Sequence, residues 1–317
     1  MKNEDSATES RPIALGGLGG AGQAALGVLV FSFSLPATVY ALDGLDPYLI
    51  GVGRAVVAAL LGAVALAAVR ARPPALRYWP GLLAVGFGVV FGFPVLSTLA
   101  LDHGASAAHG AVLIGLLPAA TAIFAVLRTR ERPSPAFWAA AAVGALTITA
   151  FTLAEGGGTA TVADLLLVGA LVTAAYGYAE GGRLAREMPG WRVISWALVL
   201  AAPVSVPVTA VLLATTEQEW TARSVIGFGY VSAFSMFLGF FAWYAGMARI
   251  GVAKAGQFQL AQPILTLAWS TWLLGERLGG ATWPAAIIVV ACVAWTQRAR
   301  VRTAPAVPAR PVDVASR

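Results

Sequence analysis

Gln259, Gln262 and Thr266 recur at i, i+3 and i+7, a spacing that puts all three on one face of a helix. The surrounding stretch 255–275 holds no Asp, Glu, Lys or Arg, so these amides and the hydroxyl stand alone in an apolar run. They suit reversible hydrogen bonding, either to a neighbouring helix at about 0.6 kcal/mol per contact or to a small polar substrate. Pro263 beside the stripe favours the substrate. Bond-making chemistry has fewer candidates. One Cys excludes a disulfide framework and a Cys-based metal site, and two His leave little for His ligation. Gly17, Gly19 and Gly22 satisfy G-x-G-x-x-G. That pattern has meaning only between a strand and a helix, whereas here it joins a polar leader to an apolar run. P-loop, H-E-x-x-H and G-x-S-x-G patterns are absent. No metal and no cofactor is expected, and an ATP-driven pump would need a partner chain.

Ionisable residues inside apolar stretches are the next candidates. Arg54 interrupts 48–69, six residues past Tyr48 and so about 9 Å along a helix. Its guanidinium can hold a substrate carboxylate bidentately. The alternatives are snorkelling to the interface or pairing with Asp43 or Asp46. Glu180 lies near the end of 163–183, close to Arg183, and reads as an ion pair or gate more than as a mid-membrane proton carrier. His109 and Lys254 are gate candidates, although lone polar residues near helix ends are usually just solvated. Phe31, Phe91, Tyr176, Tyr178, Trp243 and Tyr244 offer rings to line an apolar cavity, with core packing expected for about half of them. Trp220, Trp272 and Trp283 fit an aromatic belt.

The elements that must position these residues follow from composition. The 317 residues are 58% hydrophobic and 11% charged, against roughly 25% charged in soluble domains. That excludes a water-soluble fold. The net charge of +6 would suit nucleic acid only if gathered on one soluble face; it is split between apolar runs, so no nucleic-acid partner is expected. Runs long enough to cross about 30 Å of hydrocarbon fall at 12–42, 48–69, 78–101, 103–127, 133–154, 163–183, 193–216, 224–248, 255–275 and 278–297. The expectation is an all-α integral membrane protein of ten helices, without the alternation of a membrane barrel. All Lys and Arg except Arg54, Arg223 and Arg277 fall on one side of that arrangement, which places both termini in the cytoplasm. Val39, Tyr40 and Ala41 resemble a signal cleavage site, but the acidic leader and long apolar stretch argue against cleavage. Residues 302–317 read as a disordered tail.

Sliding the chain on itself by 145 residues lays Pro118 over Pro263, Thr121 over Thr266, Glu131 and Arg132 over Glu276 and Arg277, and Trp138 over Trp283. The same shift sets Pro94 over Gly239, Pro36 over Gly181 and His109 over Lys254. Two halves of five helices, 20–157 and 158–301 after a cytoplasmic tail 1–19, would then enter the membrane from opposite sides. Inverted halves with matched helix breakers are a pointer to a transporter with its site between the repeats. Pro263 should free the Gln259 carbonyl and Pro118 that of Ile114, so this pair, with Pro94 and Gly239, is expected to shape the cavity.

Ten helices, two five-helix halves and the run from Pro263 to Gly275, Glu276 and Arg277 resemble the EamA family of the drug/metabolite transporter superfamily. The first-half copy departs from the pattern with Arg130 in place of the glycine. The resemblance implies export or exchange of amino acids, related metabolites or drugs across a bacterial inner membrane, without fixing the substrate. Expected partners are a small-molecule substrate and the lipid bilayer, with a second copy of the chain as a candidate. With no deep acidic residue recognised, facilitated diffusion or exchange is at least as plausible as proton coupling. Competing readings are an intramembrane enzyme on a lipid-linked substrate, which wants paired carboxylates or a His cluster at one depth, and a non-transporting sensor or scaffold.

Overall fold

The computed structural model describes residues 18–129, 134–155, 159–250 and 252–298. Glu131, Arg132, both tails and the side chain of Lys254 lie outside the described residues. Within them the chain is helical throughout, with no strand. Seven runs are long and apolar enough to cross a membrane: α1 Gly20–Leu42, α2 Leu49–Ala68, α3 Leu76–Asp102, α4 Ala107–Leu127, α6 Val162–Leu184, α7 Gly190–Thr215 and α8 Ala222–Ile250. Between and after them lie α5 Pro135–Glu155, the two-piece α9 (Val252–Gln259 and Ala261–Leu274) and α10 Thr282–Arg298. α5 and α10 carry shorter apolar stretches, Pro135–Phe151 and Thr282–Trp295.

Hydrogen bonds between chain turns define two faces. At one, Arg249 Nη1 at the end of α8 donates to the Leu18 carbonyl before α1. At the other, Glu219 N donates to the Gly44 carbonyl, and Tyr40 Oη donates to the Leu273 carbonyl near the end of α9. We call these the terminal and the distal face. The pairs α1–α8 and α3–α6 exchange under the 145-residue offset, whereas α2–α7, α4–α9 and α5–α10 each set an element against its own copy. α1 meets α8 through small residues: a Cβ on Gly246 would lie 2.7 Å from Ala24 N, so only glycine lets the backbones approach this closely.

Regular helix is interrupted at two pairs of positions that the offset matches, whereas the break of α1 at Phe33 and the π-helical turn Leu49–Gly53 of α2 meet continuous helix in α6 and α7. α4 breaks between Ile114 and Leu117, and α9 breaks at Leu260. Both breaks lie just ahead of the matched prolines, Pro118 and Pro263, whose rings remove a backbone donor and crowd the preceding turn. α3 and α8 carry π-helical runs, Gly86–Gly92 and Tyr230–Leu238, which also coincide under the offset. π-helical turns inside α-helices are frequent at functional sites.

Candidate functional site

The four matched interruptions surround one central cavity. It is narrow, with about 710 Å³ of atom-free space counted together with the open solvent at its mouth. Phe31, Ser34, Arg54, Tyr178, Ser235 and Phe240 line one part, and Gln259, Gln262 and Thr266 line another beside Pro118 and Pro263. The polar stripe of α9 therefore meets the cavity as its spacing requires. Thr266 also ties α9 to α1, its Oγ1 donating to the carbonyl of Ser32 (2.9 Å) next to the break at Phe33.

Arg54 is 2% exposed. Its Nη2 donates to Ser235 Oγ (3.2 Å), and Ser235 and Ser34 share a hydroxyl hydrogen bond (2.7 Å). Neither snorkelling nor pairing with Asp43 or Asp46 occurs; Asp46 Oδ1 instead accepts from the amides of Tyr48 and Leu49 at the start of α2. Phe31, Tyr178 and Phe240 form an aromatic wall, with ring centroids 4.8 Å apart for Phe31–Phe240 and 5.7 Å for Tyr178–Phe240. Gly239 supports that wall, since a Cβ there would lie 2.8 Å from Phe31 Cε1.

Other expected site residues lie elsewhere. Tyr176, 37% exposed, lines a separate crevice with Phe124, Leu127 and Glu180. Trp243 and Tyr244 are buried behind the aromatic wall, Phe91 packs into the same core, and Pro94 is buried one residue past the cavity-lining Phe93. Glu180 is buried and accepts from Arg183 Nε (3.0 Å), the expected ion pair. Ser34, Ser235, Phe240 and Met236 line the cavity but were not legible as site residues.

Two contacts close the distal face. Glu276 turns back at Gly275, whose φ of +68° ends α9; its two carboxylate oxygens accept from Ala107 N and Ala108 N, each at 2.9 Å. His109 is not merely solvated: its Nε2 donates to Asp164 Oδ1 (2.6 Å), and its ring lies 5.0 Å from that of Phe151. Asp164 is a carboxylate that sequence reasoning missed, although it shares the 163–183 span with Glu180. Its signal was the Thr161-x-x-Asp164 capping pattern, which forms here, with Thr161 N and Oγ1 both donating to Asp164 Oδ2. Removing a buried hydrogen-bonded charge from both partners at once is costly. Asp164→Ala is expected to lose about 3 kcal/mol, read as a fall of several degrees in thermal unfolding of the detergent-purified protein. His109→Ala should lose less, because Thr161 still satisfies Asp164; equal and negligible shifts would contradict this.

The chain matches the EamA-like transporter family twice, over residues 18–153 and 161–297. It is 44% identical over 276 residues to "Uncharacterized transporter YdeK" of Bacillus subtilis (strain 168), covering 86% of this chain and 95% of that protein. A crystal structure of a protein 20% identical superposes with a TM-score of 0.61 over 87% of this chain and 95% of that one, a likeness of fold. With a family match across nearly all described residues and a relative this similar, the chain is a multi-pass membrane protein and belongs to the EamA-like transporter family.

Proposed function

We propose that the protein is a secondary transporter that moves small organic solutes, of the amino-acid, metabolite or drug type, by alternating access around the central cavity. The observation that carries this is the cavity's position: it lies where the breaks of α4 and α9 and the π-helical runs of α3 and α8 converge. Freed backbone polar groups at such a depth are tolerated only against protein or a wet cavity. All ten helical stretches are read as membrane-crossing, in two five-helix halves. The inverted relation of the halves is supported by the contacts at the two faces. The start of α1 lies at the terminal face, while the start of α6, through Asp164 and His109, lies with the start of α4 at the distal face.

The first piece of α4, Ala107–Ile114, packs on the second piece of α9, while Leu117–Thr129 packs on α6. With Glu276 and Asp164 bridging the distal ends, this supports a conformation closed at the distal face. Lys and Arg gather at the terminal face, so that face is read as cytoplasmic in a bacterial inner membrane. Within the cavity, Gln259, Gln262, Thr266, Tyr178, Phe31 and Arg54 are assigned to substrate contact, and Pro118, Pro263 and Gly239 to its shape; outside the cavity, Glu180, His109 and, by its matched position, Lys254 are assigned to gating.

Solute flux in proteoliposomes of the purified protein tests the reading. Flux of a panel solute that is lowered about 3- to 10-fold by Gln262→Ala, about 1 kcal/mol of lost substrate contact, is the expected result. Tyr176→Ala, in the side crevice, should leave it unchanged. Absence of flux across a broad panel, or turnover of a lipid-linked substrate instead, would refute it.

A further inference from the structure

The charge of the cavity is one-sided. Arg54 is the sole charged side chain among the described residues that line it. Its single hydrogen bond goes to a neutral hydroxyl, and its buried Nε has no partner. A guanidinium carries five N–H donors and stays protonated, and a cation kept inside a membrane protein normally faces a counter-charge or marks a functional site. A second buried donor at the cavity, Gln259 Nε2, is also unpartnered. Among the described residues that line the cavity, Gln262 Oε1 is the one unpartnered buried side-chain acceptor. With the carbonyls that Pro118 and Pro263 free it can receive N–H or O–H groups of a ligand, but these acceptors are neutral and do not answer the full charge of an ammonium group. The serine hydroxyls beside Arg54 are already engaged with each other.

We propose that the cavity selects small organic monocarboxylates with an apolar body. The carboxylate binds Arg54, and the body lies against the wall of Phe31, Tyr178 and Phe240. Cationic compounds are rejected by like charge, and zwitterions leave their ammonium group without an answering carboxylate. The proposal deepens the transport reading and rests on it for the direction of movement, not for the binding.

The test uses the full chain and four matched probes: phenylacetate, phenylacetamide, phenethylamine and phenylalanine. Binding is read by thermal shift and titration of the detergent-purified protein, since a ligand that prefers the folded state stabilises it. Phenylacetate should bind at least 10-fold tighter than each of the others. Arg54→Gln should remove that preference, bringing phenylacetate down to the affinity of phenylacetamide, and Arg54→Lys should retain part of it. The wild-type series decides alone if Arg54→Gln does not fold. Tighter binding of the amine or the zwitterion, unaltered phenylacetate binding by Arg54→Gln, or binding of none of the four would overturn the proposal. Counterflow of labelled phenylacetate separates the two readings. Selective binding without counterflow refutes transport and leaves the anion site, whereas counterflow of another solute that ignores Arg54→Gln does the reverse.

Discussion

A Gly88→Val protein should fail to accumulate as a folded species. A Cβ at Gly88 would overlap the carbonyl oxygen of Thr173 and lie 2.9 Å from Gly177 N and Cα. These are backbone atoms, so no rotamer change relieves the clash. α3 and α6 can only move apart. In a membrane that separation is costly, because helices there associate through close packing and not through expulsion of water. Overpacking a core costs about 1–3 kcal/mol when side chains can yield; against backbone the loss should reach at least the top of that range. The damage also reaches the cavity, since Gly88 lies in the π-helical run that presents Val89 to it. Fluorescence-detected size exclusion of a tagged protein should show the monodisperse peak reduced to about a tenth or less. Gly229→Ala is the matched control: nothing lies within 4 Å of a Cβ there, and alanine favours helix by up to about 1 kcal/mol over glycine. A Gly88→Val peak at wild-type height would contradict the packing argument.

What was legible in the residues follows from how far each physical signal reaches. The breaks of α4 and α9 were readable because proline acts within one turn of itself, and the polar stripe of α9 because 3.6-residue periodicity holds on both sides of Leu260. Tyr176 and Tyr178 show the limit. Two residues apart on one helix, they cannot share a face; Tyr178 reaches the cavity and Tyr176 does not. Sequence alone gives no phase to choose between them. Ser235 and Met236 were hidden for a different reason. They lie in the Tyr230–Leu238 run, where π turns take an extra residue and rotate the face away from the regular count. Trp243 and Tyr244 are large, buried and aromatic, as a cavity wall would be, yet they sit one layer behind it. Arg54 was recognised as costly, but only the fold could show that Ser235, not Asp43 or Asp46, receives it. The Gly275-Glu276 pair was visible as a motif, while its target, the start of a helix 169 residues earlier, was not.

Glu276→Ala should shift the protein towards opening at the distal face, and this is the largest conformational effect expected of a single side chain. The first turn of a helix leaves N–H groups without intrahelical partners and carries partial positive charge. Glu276 meets both needs of α4, one carboxylate oxygen on Ala107 N and the other on Ala108 N. Hydrogen bonds to a charged group are worth about 1.5–3 kcal/mol each, discounted here because water replaces part of the loss at a half-buried mouth. A net bias of about 2–3 kcal/mol corresponds to a population change of roughly 30- to 150-fold. Under alternating access α4 and α9 belong to opposite halves, so distal opening must break these bonds, and the carboxylate stabilises only the closed arrangement. Spin labels at Ala105 and Gly279, flanking the contact, should report one short distance in the wild type and a dominant longer one in Glu276→Ala. Solute flux should fall with it, because the return to the distally closed state becomes rare. Glu276→Asp should be intermediate, its shorter side chain reaching one amide at most. Arg277→Ala, a charge change at the adjacent exposed position, should leave the distances as they are. Identical distance distributions and flux in Glu276→Ala and wild type would reduce the contact to a helix cap with no part in gating.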